Sequence, residues 1–279
     1  GGGKDGFIRP LEILNLKTNE VKKLDIQKSE DHDDEDDYDN SLIASFKMTF
    51  VESINQVLIF GGINETNEFS NNLMILQNLK TLKIIQTTGD IPSPRIGHSF
   101  TKINTKKVML FGGVENSLSD PSFCNDVYIL HLDTMELSWE KLSIDGLKPS
   151  PRESHSAVLY ENIIVIFGGM NGKQRLNDTW TFDINTNLFE KMECSGFIPT
   201  ARSLHTATVS NDTMYIFGGF VCADYKTWSC TSTLQCLNLD TMTWKNTASI
   251  ELINKKAEPR ASQSSFEHHG RIYYCCGRK

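Results

Sequence analysis

The chain of 279 residues is acidic, with a formal net charge of −7 and an isoelectric point of about 5.5. Its lysines and arginines are scattered rather than clustered, so no basic surface for DNA or RNA is predicted. No run of about 18 apolar residues occurs, which argues against a membrane-spanning helix. Repeat folds can exceed the usual length of one domain, and we predict a single domain over residues 1–279.

The first predicted element is a hairpin over residues 8–26, in which two apolar segments flank a polar turn. An acidic stretch of about 28–40 follows this hairpin. Such a density of like charges is typical of solvated segments, so we predict that this insertion is disordered. The next hairpin, over residues 41–60, ends in the bulky run QVLIF and a Gly pair.

From there the chain alternates inner hairpins, which end at a Gly pair, with outer hairpins, which have Asp or Asn and Thr in their turns. Inner hairpins are predicted at 41–60, 95–111, 152–167, 202–217 and 260–276, and outer hairpins at 8–26, 72–86, 125–143, 177–193 and 231–248. The Gly pairs recur every 50 to 60 residues, which is typical of kelch repeats. Each repeat therefore supplies the four short strands of one propeller blade.

These hairpins predict an all-β kelch-repeat β-propeller with five blades' worth of strands. The first outer hairpin has no inner hairpin before it, and the last inner hairpin has no outer hairpin after it. The two could pair to close a five-bladed ring, or the chain could be a fragment of a six-bladed ring. We favour the six-bladed ring, because propellers avoid exposed strand edges.

Four of the inner hairpins open with an arginine, and these are Arg95, Arg152, Arg202 and Arg260. Because the start of the first strand and the end of the second lie at the same end of a hairpin, we expect the arginines around one mouth of the channel. Guanidinium groups suit bidentate recognition of carboxylates, so these arginines are predicted to bind an acidic peptide. The alternative is that each arginine pairs with acidic groups of neighbouring blades and holds the ring together.

Aromatic residues supply a second set of candidate contacts. Tyr225, Trp228 and Phe123 are predicted in loops on the face of the arginines, where aromatic side chains often anchor a partner. Tyr225 and Trp228 are therefore added to the predicted peptide-binding residues. The tryptophans predicted in outer strands are interpreted as blade core, and these are Trp139, Trp180 and Trp244.

No catalytic constellation is recognised. His98, His155 and His205 each follow an arginine by three positions, and we interpret them as buried side chains that donate to backbone carbonyls rather than as metal ligands. Motifs for dinucleotides, phosphates, serine nucleophiles and zinc hydrolases are absent from the sequence. A copper oxidase on this fold would need two histidines and two tyrosines that cannot be assigned. We predict no catalytic residues, no metal, no cofactor and no enzymatic activity.

The seven cysteines show neither CxxC spacing nor the density of a disulfide framework. We interpret them as reduced, buried thiols of a protein from the nucleus or cytoplasm.

Several segments resemble the N-terminal kelch domain of the host cell factor family. They are PSPRIGHSF, PRESHSAV, ARSLHTAT and YKTWSCTSTLQCLNLDTMTWKN, and the resemblance covers about residues 1–277. The chain departs from this pattern in SLIASFKMTF at 41–50, which has no Arg-x-x-His, and at Gln263, where histidine would stand.

The resemblance implies a transcriptional coregulator of the nucleus, with the cytoplasm as a second location. It implies transcription-factor partners that carry a short motif of an acidic residue, His, any residue and Tyr. It also implies chromatin-modifying complexes as partners, bound through the wider protein. The alternative is another kelch adaptor, such as a substrate-recognition module of a ubiquitin ligase or a cytoskeletal binding module.

Overall fold

The computed structural model describes residues 12–15, 20–23, 27–28, 44–52, 54–64, 66–132, 136–222, 228–246 and 257–278. The regular elements in these ranges are all β-strands, which confirms the predicted all-β class. No helix in the described ranges is long and apolar enough to cross a membrane. The acidic insertion predicted at about 28–40 lies outside the described residues, apart from Lys28.

The chain divides into two compact units. The first comprises Gly1–Ser122 and Tyr128–Lys141, and the second comprises Phe123–Val127 and Leu142–Lys279.

The first unit contains a two-stranded sheet, one complete five-stranded sheet and most of another. Its strands are β1 (Glu12–Asn15), β2 (Glu20–Lys23), β3 (Gln27–Lys28), β4 (Lys47–Val51), β5 (Gln56–Phe60), β6 (Leu73–Gln77), β7 (Thr81–Ile85), β8 (Thr88–Gly89), β9 (Ser99–Lys102), β10 (Lys107–Asn116), β11 (Pro121–His131, which also enters the second unit) and β12 (Ser138–Lys141). The sheets have the orders β1-β2, β3-β7-β6-β5-β4 and β8-β12-β11-β10-β9.

The second unit contains four sheets. Its strands are β13 (Ser156–Tyr160), β14 (Ile163–Met170), β15 (Arg175–Asp183), β16 (Leu188–Met192), β17 (Ser195–Gly196), β18 (Arg202–Ser203), β19 (Thr206–Ser210), β20 (Thr213–Phe217), β21 (Phe220–Cys222), β22 (Trp228–Cys230), β23 (Leu234–Asn238), β24 (Thr243–Asn246), β25 (Ala261–His268) and β26 (Arg271–Arg278). The sheets have the orders β13-β14-β15-β16, β17-β24-β23-β20-β19, β18-β21-β22 and β25-β26.

Each of the ten predicted hairpins corresponds to a pair of consecutive strands. The inner hairpins are β4–β5, β9–β10, β13–β14, β19–β20 and β25–β26, and the outer hairpins are β1–β2, β6–β7, β11–β12, β15–β16 and β23–β24. In the complete repeats the fourth strand lies at the outer side of the third, as in β13-β14-β15-β16. The predicted arrangement of four short strands per repeat is therefore confirmed.

The three Arg-x-x-His segments bend before the first strand of their inner hairpins begins, and the equivalent segment of Arg260 bends at the second residue of β25. The second residue after each arginine has a positive φ, at Gly97, Ser154, Leu204 and Ser262. In a regular strand, residues three apart point to opposite faces, whereas this bend breaks the alternation. Arg95 and His98 are both buried as a result, as are Arg202 and His205.

Three two-residue strands lie outside the predicted hairpins and were not predicted. β3, β8 and β17 each follow an outer hairpin and pair in parallel with the outer strand of the next sheet along the chain, β7, β12 and β24 respectively. Gly89 in β8 and Gly196 in β17 have positive φ, and a Cβ atom at either would collide with the carbonyl oxygen of Trp139 or Trp244. Glycine is required where this connection crosses the outer strand so closely.

Each unit has an apolar core between two consecutive sheets. In the first unit Phe60 packs against Trp139 with ring centroids 5.0 Å apart, and in the second unit Phe167 packs against Trp244 at the same 5.0 Å. Trp139, Trp180 and Trp244 are all buried, which confirms their predicted core role. Because Phe60 and Phe167 directly precede Gly pairs, this packing fixes where those glycines lie.

All seven cysteines are thiols outside any disulfide. The prediction of buried thiols is right for Cys124 and Cys236 but wrong for Cys222 and Cys276, which are exposed. Cys222 is the last residue of β21, and Cys276 lies within β26.

Candidate functional site

The Gly pairs are the points at which consecutive repeats approach each other through their backbones. Gly62 donates its N–H to the carbonyl of Arg95 at 3.0 Å, and Gly219 donates to the carbonyl of Arg260 at 2.8 Å. The first glycine of a pair is equally close, because a Cβ atom on Gly168 would lie 2.9 Å from the carbonyl oxygen of Arg202. The repeated Gly and Arg positions are thus parts of one joint between repeats.

The guanidinium groups of this joint lie inside the protein. Arg95 and Arg152 are 0% exposed and Arg202 is 2% exposed. In each, Nε donates to the carbonyl two residues earlier, at 3.0 to 3.2 Å. Nη1 of each reaches a glycine carbonyl in the same hairpin, at Gly112, Gly168 and Gly218 respectively. Arg260 is half-buried and repeats the pattern, with Nη1 donating to the carbonyl of Cys276 at 3.0 Å.

The third strand of the repeat completes the contacts of two arginines. Arg152 forms a bidentate ion pair with Asp178, both N···O distances being 2.8 Å, and Trp180 donates to the same carboxylate. Burial raises the pKa of Asp178, but the hydrogen bonds and charge of Arg152 outweigh this effect and lower that pKa overall. In the next repeat Gln235 replaces the carboxylate and accepts from Arg202 at 2.9 Å.

The structure places the predicted peptide-binding residues in different environments. Arg95, Arg152 and Arg202 use their donors within the protein. The carboxylate that pairs with Arg152 belongs to its own repeat rather than to a neighbouring blade, and the acceptors of Arg202 are neutral. Trp228 lies in strand β22, paired with Cys222, rather than in a loop, and Tyr225 lies outside the described residues. Arg95 belongs to the first unit, and the other predicted residues belong to the second. Peptide binding at these six positions stays a prediction.

Phe123, predicted in a loop, lies in β11. Its ring contacts Gly172, where an added Cβ atom would lie 2.7 Å from it.

The histidines of the repeats are buried, as predicted, but the partner of His205 Nε2 is a hydroxyl group rather than the expected backbone carbonyl. His98 is packed edge-on against Phe60, and His205 contacts Phe167 in the same way while its Nε2 lies 2.9 Å from Ser156 Oγ. They immediately precede the first inner strand rather than lying on it, because of the bend after the arginine. At the equivalent place Gln263 donates from Nε2 to the carbonyl of Phe217. In the described ranges no group of three or more His, Cys, Asp or Glu side chains could hold a metal.

The burial of His98 predicts acid sensitivity. Burial, followed by the charges of Lys47 and Arg95, lowers the pKa of His98 well below its usual value. The unfolded chain then binds the proton more readily, so stability should fall as the pH drops below about 6.5. We expect His98→Gln, which copies Gln263, to weaken this pH dependence in urea unfolding at pH 7 and pH 5. His268→Gln, at an exposed histidine, is the control, and an unchanged pH dependence in His98→Gln would contradict the expectation.

A second group of side chains was missed by sequence reasoning. Arg175 at the start of β15 and Arg278 at the end of β26 both lie near the ring of Phe220, their Cζ atoms 5.9 Å and 5.6 Å from its centroid. Neither arginine belongs to the repeated motif, so no periodic signal points to it. Their proximity depends on the β18-β21-β22 sheet, which the sequence pattern did not predict.

A comparison of the chain with protein families agrees with this all-β repeat architecture. The family model described as the KLHDC2/KLHL20/DRC7 Kelch-repeats domain matches residues 45–277, and the chain belongs to this Kelch-repeats family.

Within that family the chain is similar to host cell factors. It is 36% identical to human host cell factor 1 over 309 aligned residues, 34% identical to human host cell factor 2 over 308, and 33% identical to the host cell factor of Drosophila melanogaster over 311. Each alignment covers 100% of this chain. The chain spans 14%, 37% and 20% of those three proteins, respectively. The resemblance to the kelch domain of host cell factor is therefore confirmed.

Proposed function

We propose that the chain is the protein-interaction module of a transcriptional coregulator of the host cell factor type. The observation that carries the proposal is similarity to host cell factors along 100% of the chain. The module would act by binding, with no bond made or broken. Its location would be the nucleus, with the cytoplasm second, and the wider protein would bring in chromatin-modifying complexes.

The proposed ligand is a short peptide of a transcription factor, with an acidic residue, His, any residue and Tyr. A rigid β scaffold that presents loops at one end of its hairpins suits peptide binding, because little conformational entropy is lost in the receptor. Arg260, Tyr225 and Trp228 are the proposed contacts among the predicted residues. Arg152 and Arg202 are proposed to support this surface from inside, since their donors bind protein carbonyls.

The test is a titration of the full chain against a fluorescent peptide that contains Glu-His-x-Tyr. We expect saturable binding that weakens by about tenfold or more when His or Tyr of the peptide becomes Ala, since aromatic anchors dominate such interfaces. Tyr225→Ala and Trp228→Ala should weaken binding similarly without changing the melting temperature.

A folded protein that binds none of these peptides would overturn the proposed ligand. The remaining function would then be that of another kelch adaptor, for which the family match over residues 45–277 is sufficient support. Peptide binding that is indifferent to both Ala substitutions would also count against the motif.

A further inference from the structure

The second unit carries two arginines whose surroundings differ from those of the repeated arginines. Arg175 is half-buried and Arg278 is exposed, and both guanidinium groups lie within 6 Å of the centroid of the buried Phe220 ring. No carboxylate of the described ranges forms an ion pair with either of them. Arg152, by contrast, is neutralised by Asp178. Two guanidinium groups therefore lie near the ring of Phe220, and no described carboxylate neutralises them.

Arg175 is held in place by neutral partners. Its Nε donates to Ser203 Oγ at 3.2 Å, and its Nη1 lies 2.7 Å from the sulfur of Cys222. Ser203 and Phe220 are register partners in β18 and β21, so these contacts come from one small sheet. A guanidinium fixed on one side by neutral acceptors keeps its full charge and can offer its remaining donors to an anion.

Arg278 approaches the same ring from the last hairpin. It is paired with Ala261 in the β25–β26 register, and its backbone carbonyl lies 3.8 Å from the sulfur of Cys230 in β22. Arg260, one of the predicted peptide-binding residues, donates to the carbonyl of Cys276, two residues before Arg278. The two arginines around Phe220 are therefore continuous with the predicted binding residues of this unit.

We propose that Arg175 and Arg278, together with the ring of Phe220, bind the carboxylate of the acidic residue in the peptide. This inference rests on the proposed function and names the site at which the first residue of the motif is recognised. A guanidinium group with donors left over can donate to a carboxylate, and such charge-assisted hydrogen bonds are stronger than neutral ones. On a chain of net charge −7, this local positive pair also selects where an acidic peptide can bind.

The predicted aromatic contacts lie close in sequence to a residue of this site. Cys222, which contacts Arg175, is the last residue of β21, and Trp228 begins β22 on the other side of the connecting loop. Tyr225 lies within that loop in the sequence. An extended peptide advances about 3.4 Å per residue, so the Tyr of the motif would lie about 10 Å from the acidic residue.

The experiment measures binding of two fluorescent peptides, Glu-His-x-Tyr and Gln-His-x-Tyr, to the full chain and to Arg175→Gln and Arg278→Gln. We expect the Glu peptide to bind at least about tenfold more weakly to each variant than to the parent protein. The Gln peptide should bind the parent and both variants with equal affinity, because its side chain carries no charge. Arg278→Lys should recover part of the loss, and added salt should weaken only the Glu peptide's binding to the parent.

Matched controls separate this inference from the proposed function. Arg271→Gln changes an exposed arginine at the other end of β26 and should leave both affinities unchanged. If the parent protein and Arg278→Gln bind the Glu peptide equally well, the inference is overturned. The proposed function would still stand. Parent protein that binds neither peptide would overturn the proposed function itself. Arg278 is exposed, so its variant keeps the test decisive if Arg175→Gln fails to fold.

Discussion

Replacing Arg152 with methionine is expected to lower the free energy of unfolding by about 3 kcal/mol. The change leaves the Asp178 carboxylate partly buried beside Trp180 without its bidentate partner, and it removes the donors to the carbonyls of Ser150 and Gly168. Breaking a buried pair by removing one partner costs about 3 to 5 kcal/mol. Because the Asp178 side chain remains 23% exposed, the lower end of that range applies.

Urea unfolding of the parent and Arg152→Met at pH 7 measures this difference. Arg271→Met, at an exposed arginine, is the control and should change stability by less than about 0.5 kcal/mol. The double variant Arg152→Met, Asp178→Asn should recover part of the loss, because it removes the unpaired charge. A single variant as stable as the control would contradict the interpretation of Arg152 as an internal structural contact.

The ion pair between Arg152 and Asp178 also predicts how the stability of the protein depends on pH. Since the pKa of Asp178 is lowered in the folded protein, its contribution to stability is present above the unfolded value of about 3.9 and is lost as the pH falls through the folded value. The difference between the parent and Arg152→Met should therefore shrink in strong acid.

Gly218→Ala is expected to destabilise the protein by about 2 to 4 kcal/mol, the sum of a backbone cost and a steric cost. Gly218 has a φ of +68°, and an added Cβ atom would lie 2.5 Å from the carbonyl oxygen of Arg260 and 2.6 Å from Nε2 of Gln263. The carbonyl belongs to the backbone of the next repeat, so it cannot move without opening the joint.

Gly146→Ala isolates the backbone part of this cost. Gly146 has a φ of +80°, but no heavy atom lies within 4 Å of an added Cβ. Its substitution should therefore cost only about 1 kcal/mol in thermal or urea unfolding. Equal losses for the two variants would show that the close approach of Gly218 to Arg260 contributes nothing to stability.

The strand pattern could be predicted because it repeats. Five inner and five outer hairpins, with a Gly pair in phase with the apolar runs, place every long strand close to its observed bounds. The bend after each arginine could not be predicted, since its positive-φ position is occupied by residues as different as Gly97, Ser154 and Leu204. Strands β3, β8 and β17 were not predicted, because a strand of two residues shows no periodicity. The strands with which they pair are also distant in sequence.

The candidate site was predictable only in part. The arginines were recognised from their spacing, but charged residues are usually exposed, and the sequence does not reveal that Asp178 of another strand reaches Arg152. Arg175 and Arg278 lie outside the repeat, 103 positions apart in sequence, and only the folded sheets bring both to Phe220. Sequence periodicity thus predicts the strands of the repeats. A binding site built from residues outside the repeated motif can be identified only in the folded structure.

The short parallel strands have a consequence for how such repeats tolerate change in length. Gly89 and Arg95 are separated by the same number of positions as Gly196 and Arg202, and both ends of each connector are held, one by the outer strand and one by the inner joint. The length of these connectors is therefore fixed, because an added residue would displace either the glycine that crosses the outer strand or the buried guanidinium group.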